Sequence, residues 1–536
     1  MVNTVFCRVP GALQMLLAVS IAAPAAAATH VVPEGGDLQA ALNAALPGDV
    51  IELQSGATYT GNFRLPLKGG DTFIVVRTGG ISDRAPGPGV RIGPAHASML
   101  AKIRSGNTSP ALATRPGTHH WRFELIEFEA NARGQGDIIT LGADDSQTDV
   151  AQMPYDLVFD RVYVHGDATA GQKRGIALNS GATQIINSYF SDFKANGIDT
   201  QAVCGWNGSG PYLIENNYME ATGENLLFGG AQPNIWNLVP SDITIRRNVF
   251  SKPLRWRNER WTVKNAFELK NARRVLVEGN IFEHVWSDAQ NGYAVLLTVR
   301  NPGGRAPWST VEDVTFRYNI IRNSGGAINM HGFDNVQTTQ QTARIQIAHN
   351  VVYGIDKNIW GGSGDFVQIG NAPRDIVIEH NTVFHDGIGL RLFDGPGGRR
   401  EIERFVFRDN AMRHNTYAVK GDGVNTGNPT IAKYLPGVIF ERNVMAGGRA
   451  SQYPASNFFP SVAEFEAQFV DAAAGNFELV PESLLRAWGN GSPLGADLAA
   501  IRRLIDGVAG TQDPDRPIDP REPGSIRNRG KRGHGF

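Results

Sequence analysis

Eight asparagines, Asn217, Asn248, Asn280, Asn319, Asn350, Asn381, Asn410 and Asn443, recur down the chain at successive steps of 31, 32, 39, 31, 31, 29 and 33 residues. So regular a step means one structural unit per repeat, each burying its apolar face only against its neighbours. Every one of these asparagines closes a short apolar run: LIENNYM at Leu213, ITIRRNVF at Ile243, VLVEGNIF at Val275, VTFRYNII at Val314, IQIAHNVV at Ile345, IVIEHNTVF at Ile376, FVFRDNAM at Phe405 and VIFERNVM at Val438. LVFDRVYV at Leu157 and QIINSYF at Gln184 extend the pattern upstream. In the unit AFELKNARRVLVEGNIF, from Ala266, Phe267 and Leu269 alternate with Glu268 and Lys270, and Val275 and Val277 with Leu276 and Glu278. This is the period of strands that bury one face. Asn271 and Ala272 turn the chain once, and Gly279 and Asn280 turn it again, at a corner suited to left-handed backbone angles.

A second strand accompanies each unit: GIALNSG at Gly175, GIDTQAV at Gly197, NLLFGG at Asn225, AVLLTVRN at Ala294, AINMHG at Ala327, DFVQIG at Asp365, GLRLFDG at Gly389 and YAVK at Tyr417. No helix-length apolar period separates the strands, which excludes leucine-rich and helical repeats, and no hairpin turns support an antiparallel sandwich. Stacked coils forming long parallel sheets remain, and 62 glycines suit a chain that turns this often.

In this repeat architecture, from about Thr29 to Ile505, the chain resembles the pectate-lyase-like superfamily of right-handed parallel β-helix proteins. The resemblance implies an all-β solenoid of about 10–12 coils with an N-terminal capping helix and a C-terminal cap. It also implies that the corner asparagines stack inside as a ladder of side-chain amides that satisfies the turn backbones.

The ends read separately. Residues 1–28 form a secretion signal, with Arg8, an apolar run from Leu13 to Ala22, and small residues up to a cleavage point near Ala28. That run is too short for an ordinary membrane span. Secretion or a periplasmic location follows, and the mature chain keeps Cys204 alone, with no intramolecular disulfide. Asp37 caps a helix carrying Leu38, Ala41, Leu42, Ala45 and Leu46 on one face, stopped by Pro47-Gly48. The segment from Phe477 reads as a last strand and a closing helix, and residues 506–536, rich in proline and arginine, as a disordered tail that includes His534. A net charge of -1 favours neither nucleic acid nor an acidic membrane surface, and the capped solenoid is expected to be a monomer.

Sorting the second strands by face puts Ile176, Leu178, Ile198, Phe267, Leu269, Ile328, Met330, Leu390 and Leu392 inward. Outward stand Asn179, Asp199, Gln201, Glu268, Lys270, Asn329, His331, Arg391 and Lys420, joined by Arg300. Coils lie about 4.8 Å apart, so Glu268, Lys270, Arg300 and His331 come within reach of one sugar unit. An acid, two cations and a histidine on successive rungs suit β-elimination from a uronate polymer, in which the carboxylate is neutralised, the C5 proton removed and the leaving oxygen protonated. A solvated face of ion pairs gives the same pattern.

Lyases of the alginate lyase and chondroitinase B type imply Lys270 as base, with Arg300 from the next coil and His331 completing the catalytic set. They also imply Glu268 and Glu224 as ligands of a Ca²⁺ ion. A free lysine titrates near about 10.4, and a bare carboxylate beside it raises that further, so a cation at Glu268 is what would free Lys270. Without a metal the two form an ion pair. Arg391, Asn329, Trp256 and Trp261 are the substrate-binding set, since indoles stack on sugar rings and arginines pair with uronates. Trp236, Trp286 and Trp308 lie near in sequence, and packing against the solenoid is the other use of these indoles. Asp144-Asp145, the one echo of hydrolase aspartates, reads as a loop. The function expected is that of a polysaccharide lyase; the alternatives are a non-catalytic carbohydrate-binding or adhesion module and a β-helix glycoside hydrolase.

Overall fold

The computed structural model describes residues 27–143, 146–489 and 491–508. The signal segment, Asp144-Asp145 and the tail beyond residue 508 lie outside them. Three long sheets, all parallel, run the length of the molecule. Sheet I has 14 strands and includes Ala272–Glu278; sheet II has 13 and includes Ile281–Val285; sheet III has 12 and includes Phe267–Leu269 and Tyr293–Thr298. Each coil contributes one strand to each sheet, and the expected right-handed parallel β-helix results.

The interior is one continuous cluster running from Leu38 to Tyr453. Phe250 stacks on Phe282, and Phe123 on Phe159, with ring centroids 4.8 and 5.3 Å apart. All eight corner asparagines are buried. The Nδ2 of Asn280 donates to Oδ1 of Asn319 (3.0 Å), Asn319 to Asn350 (3.1 Å) and Asn350 to Asn381 (3.0 Å), and each Oδ1 also accepts the backbone N–H of the preceding asparagine. The row ends on Asn457, which accepts from Asn443. The left-handed position is the residue before each asparagine, not the asparagine itself. Beside Gly279 it is filled by Arg247, Tyr318, His349, His380, Asp409 and Arg442, each with φ between 52° and 59°. Amide bonds on both sides of the corner hold a conformation that these side chains would not choose alone.

At the N-terminal end the Asp37 carboxylate accepts from Ala40 N (2.9 Å), capping the helix Leu38–Ala44, and Leu38 and Leu42 close the core. The other end departs from the sequence reading. The helix Asn428–Tyr434 covers the last strand of sheet III, sending Ile431 and Tyr434 into the core. The closing segment does not lie over the end. Its elements Val462–Glu466, Leu484–Trp488 and Leu498–Ile505 instead run back along sheet II, with Phe465, Phe469, Phe477, Leu485 and Ile501 against Val351, Phe384, Ala411 and Val444. Arg247 and Arg91 donate to the carbonyls of Leu504, Asp506 and Val508. The segment is a strap over an apolar column of sheet II, packing on Val351, Ala411 and Val444; further along the same column Tyr189, Tyr218, Val249 and Ile281 cluster with Ile81, Ile92 and Leu100 of an N-terminal loop and with Val508.

One inward assignment fails: Ile198 is 46% exposed. The strand of that coil is Gln201–Gly205, with Ala202 and Val203 buried, so residues 197–200 are a loop. The strand Tyr293–Thr298 turns Val295 and Leu297 inward. No helix among the described residues is long and apolar enough to cross a membrane.

Candidate functional site

Sheet III sets its polar side chains by register. Arg174 pairs with Asp137 on one side and Gln201 on the other, and Gln201 with Glu224, making one column across four coils. Glu268 stands between Leu227 and Leu296 in a second column, which continues through Asn329, Gln368 and Arg391 to Lys420. The columns are wired together. Arg174 donates to Asp137 (2.9 Å) and to Gln201 Oε1 (3.0 Å), and Gln201 Nε2 to Glu224 Oε2 (2.8 Å). Asn265 Nδ2 and Thr298 Oγ1 donate to Glu268 at 3.0 and 3.1 Å.

Lys270 Nζ lies 3.5 Å from Glu268 Oε2, and Lys264 Nζ 2.6 Å from Asp199 and 3.6 Å from Glu224 Oε1. Burial pulls the Lys270 ammonium down, but the facing Glu268, Glu224 and Asp199 outweigh it and hold the group above the usual lysine range. Glu224 is wholly buried, and burial together with Glu268 pushes its carboxyl up. Its Oε1 and the Oδ1 of Asn265 are buried acceptors without a hydrogen bond. Of the two, Glu224 Oε1 has only the Lys264 ammonium near it among the described residues, at 3.6 Å.

Arg300 begins the adjoining stretch: its backbone N–H donates to Lys270 O (2.9 Å) and its guanidinium to Val299 O (2.9 Å). Among the described residues it makes no ion pair, which leaves a cation one coil from Lys270 free for an anionic ligand. His331 packs edge-on to Phe393 with Nδ1 unbonded, and burial with Arg300 brings its imidazole down to about 4, so it is neutral near pH 7. Asn329 accepts from Gln368 (3.2 Å), while Arg391 is held by Asp365 (2.5 and 3.2 Å), which also takes the Tyr293 hydroxyl (3.0 Å). Glu224, Glu268, Lys270 and Arg300 therefore gather on neighbouring coils; Arg391 sits further along the same face in an ion pair of its own.

Trp256 and Trp261 are packing residues here, clustered with Trp286 and Trp360, and Lys194 Nζ lies 5.4 Å from each of the first two rings. Sequence reasoning passed over Asn265, Lys264 and, above all, Lys252. The Lys252 ammonium is completely buried at the turn between sheets II and III. It donates to the carbonyls of Ala221 (2.7 Å), Gly223 (2.7 Å), Asn265 (3.0 Å) and Thr222 (3.2 Å), and to Asn225 Oδ1 (3.2 Å). Burial pulls it down to about 7 against the pull of Glu224. Its cage fixes the turn from which Glu224 and Asn265 project. Cys204, the free cysteine, is buried beside this site, and burial pushes its thiol up to about 11.

Fold and site together define a parallel β-helix protein with a polar, charged face on sheet III. No sequence family and no curated protein sequence matches the chain. Among solved structures it is similar to an alginate lyase of polysaccharide lyase family 6, at 12% identity and a TM-score of 0.50, covering 92% of this chain. This chain spans 59% of that enzyme's length. Two further family 6 structures, an alginate lyase in complex with a trisaccharide and a lyase from Pseudopedobacter saltans, share 11% identity at TM-scores of 0.48 and 0.41. They cover 88% and 87% of this chain, and 93% and 99% of their own lengths are spanned. At 12% identity the first of these likenesses bears on the fold alone.

Proposed function

We propose that this chain is a polysaccharide lyase that cleaves a uronate-containing polymer by β-elimination on the polar face of sheet III. The carrying observation is the free Arg300 guanidinium on the coil next to the Lys270–Glu268 pair, with Lys270 O accepting the Arg300 N–H (2.9 Å). Arg300 receives the uronate carboxylate, and its charge lowers the cost of building negative charge at C5. Lys270 removes the C5 proton; the C–H electrons form the C4–C5 double bond and the C4–O bond breaks. The leaving oxygen takes up the proton that Lys270 has gained, and the neutral His331 imidazole stands on the same face as a hydrogen-bonding group for the sugar. Glu224, Glu268 and Asn265 would hold a Ca²⁺ ion, which supplies positive charge to the site. With the carboxylates so engaged, Lys270 loses the partners that keep it protonated.

The ion pair itself favours a second reading. With Glu268 and Glu224 unscreened, Lys270 stays charged and the face binds polymer without turnover, as an adhesion or carbohydrate-binding module would. Incubation with a panel of uronate polymers, with and without calcium and chelator, decides between them. A lyase gives unsaturated ends absorbing in the near ultraviolet, and chelation slows their appearance. Affinity with no absorbance on any polymer would leave the binding module. The export expected from residues 1–28 belongs to the same proposal, and mass spectrometry of the secreted chain would locate the cut near Ala28.

A further inference from the structure

Beyond Lys270 the chain builds a second feature that the elimination does not use. It leaves sheet III at Gly229, where φ is 93° and an added Cβ would lie 2.9 Å from Lys270 Cβ, so only glycine lets the backbone cross that side chain. The loop then runs through Ile235, Trp236, Asn237 and Leu238. Ile235 and Leu238 are buried against Met153, while Trp236 between them is 78% exposed. Asn237, at φ 59°, reverses the chain at the tip. The loop is thus anchored on both sides of an indole that it holds outward, so the exposure is imposed by packing and does not come from a slack loop.

Behind Trp236 stands Trp308, from the loop two coils on, with centroids 4.5 Å apart and planes at 61°. Trp308 Nε1 donates to Leu238 O (3.0 Å), so the buttress is tied to the loop that it supports. Gln232 is hydrogen-bonded to Pro302 O and Arg305, which joins the two loops and sets an exposed guanidinium on this wall. An open indole face on a rigid mount, with a guanidinium and amides nearby, has the composition that recognises pyranose rings carrying carboxylates. Six residues separate Trp236 from Gly230 at Lys270, a reach of at most about 20 Å.

We propose that Trp236, buttressed by Trp308, is a stacking platform for a uronic-acid sugar a few units away from the one at Lys270. The inference rests on the reading of the chain as a binder of acidic polysaccharide and is independent of whether it cleaves. The test is calorimetric titration of the full chain, its Trp236→Ala and Trp236→Phe variants, with uronate oligosaccharides of increasing length and a neutral oligosaccharide as control. Trp236→Ala should weaken binding of the longer oligosaccharides about five- to tenfold and leave the shortest unchanged, while Trp236→Phe retains most of the affinity. Equal affinities for wild type and Trp236→Ala at every length would overturn the platform while leaving the function standing. Wild type that binds no uronate at any length would overturn both. Self-association abolished by Trp236→Ala, with sugar binding intact, would instead assign the indole to a contact between copies of this chain.

Discussion

The outer faces of sheets II and III are built from the same coils and alternate in the same way, yet they meet different fates. On sheet II the central column runs from Tyr189, Tyr218, Val249 and Ile281 to Val351, Ala411 and Val444, and the chain covers it twice, with the loop of Ile81, Ile92 and Leu100 at one end and with the strap at the other. On sheet III the column carries Glu268, Asn329, Gln368 and Arg391, and only loops approach it. An apolar face costs about 25 cal/mol for every Å² left in water, so it recruits cover; a charged face is costly to cover unless every group is paired. Apolar packing is thus concentrated on one flank and ionisable groups on the other.

The sharpest way to break that contrast is to remove one central side chain from each flank. Lys270→Ala should lower turnover by about 10²–10⁴-fold, the usual weight of a general base, with the folded structure retained in circular dichroism. Unchanged activity would separate sheet III from catalysis. Phe384→Ala, under Phe465, Phe469 and Phe477 of the strap, should cost about 3–5 kcal/mol in denaturant unfolding and leave turnover of the folded protein intact. A small loss there would mean that the strap is not structural.

The interior shared by both flanks comes next. Asn350→Ala removes the acceptor of the Asn319 N–H and the donor to Phe316 O, and should destabilise by about 1–3 kcal/mol. Protonation sharpens the comparison further. Glu220, on sheet II, is pushed up to about 8 by burial and by Asp192. From the ordinary carboxylate range up to about 8 the folded chain keeps a proton that the unfolded chain has released. Stability should therefore fall as pH rises through that window, by at most about 1.4 kcal/mol per unit, and Glu220→Gln should flatten the slope in urea unfolding. The smallest effect belongs to the exposed Arg274–Asp242 pair on sheet I, where Asp242→Asn should cost about 0.2–1 kcal/mol.

Much of this was legible in the sequence because it is local. Alternation and the asparagine step report on strands and corners directly, and Glu268 and Lys270 stand outward as their alternation requires. What lay hidden depends on where a coil starts. Arg174, Gln201, Glu224 and Asn265 each fall two residues before an inward apolar residue, Ile176, Val203, Leu226 and Phe267. Aligning the second strands on those residues would have revealed the column, and would have placed Ile198 outside the strand. Lys252 offered no such signal. After Phe250 and Ser251 it reads as a lysine ending a strand, and only the carbonyls converging from two separate segments, Ala221 to Gly223 and Asn265, show it to be internal. Trp256 and Trp261 show the converse, since an indole in an insert looks alike in sequence whether it faces a sugar or the protein.

The asparagine ladder also bears on how such a chain changes length. Each rung is joined to the next by the same amide bond, whether the step between them is 29 or 39 residues, so added residues leave through the loops and the stacking height stays constant. The molecule is in effect a graduated scale, marked every 4.8 Å or so along its axis. A duplicated coil would add one graduation, with one more outward position on sheet III, and leave the others where they were. The length of the polar face of sheet III can therefore be inherited in whole increments.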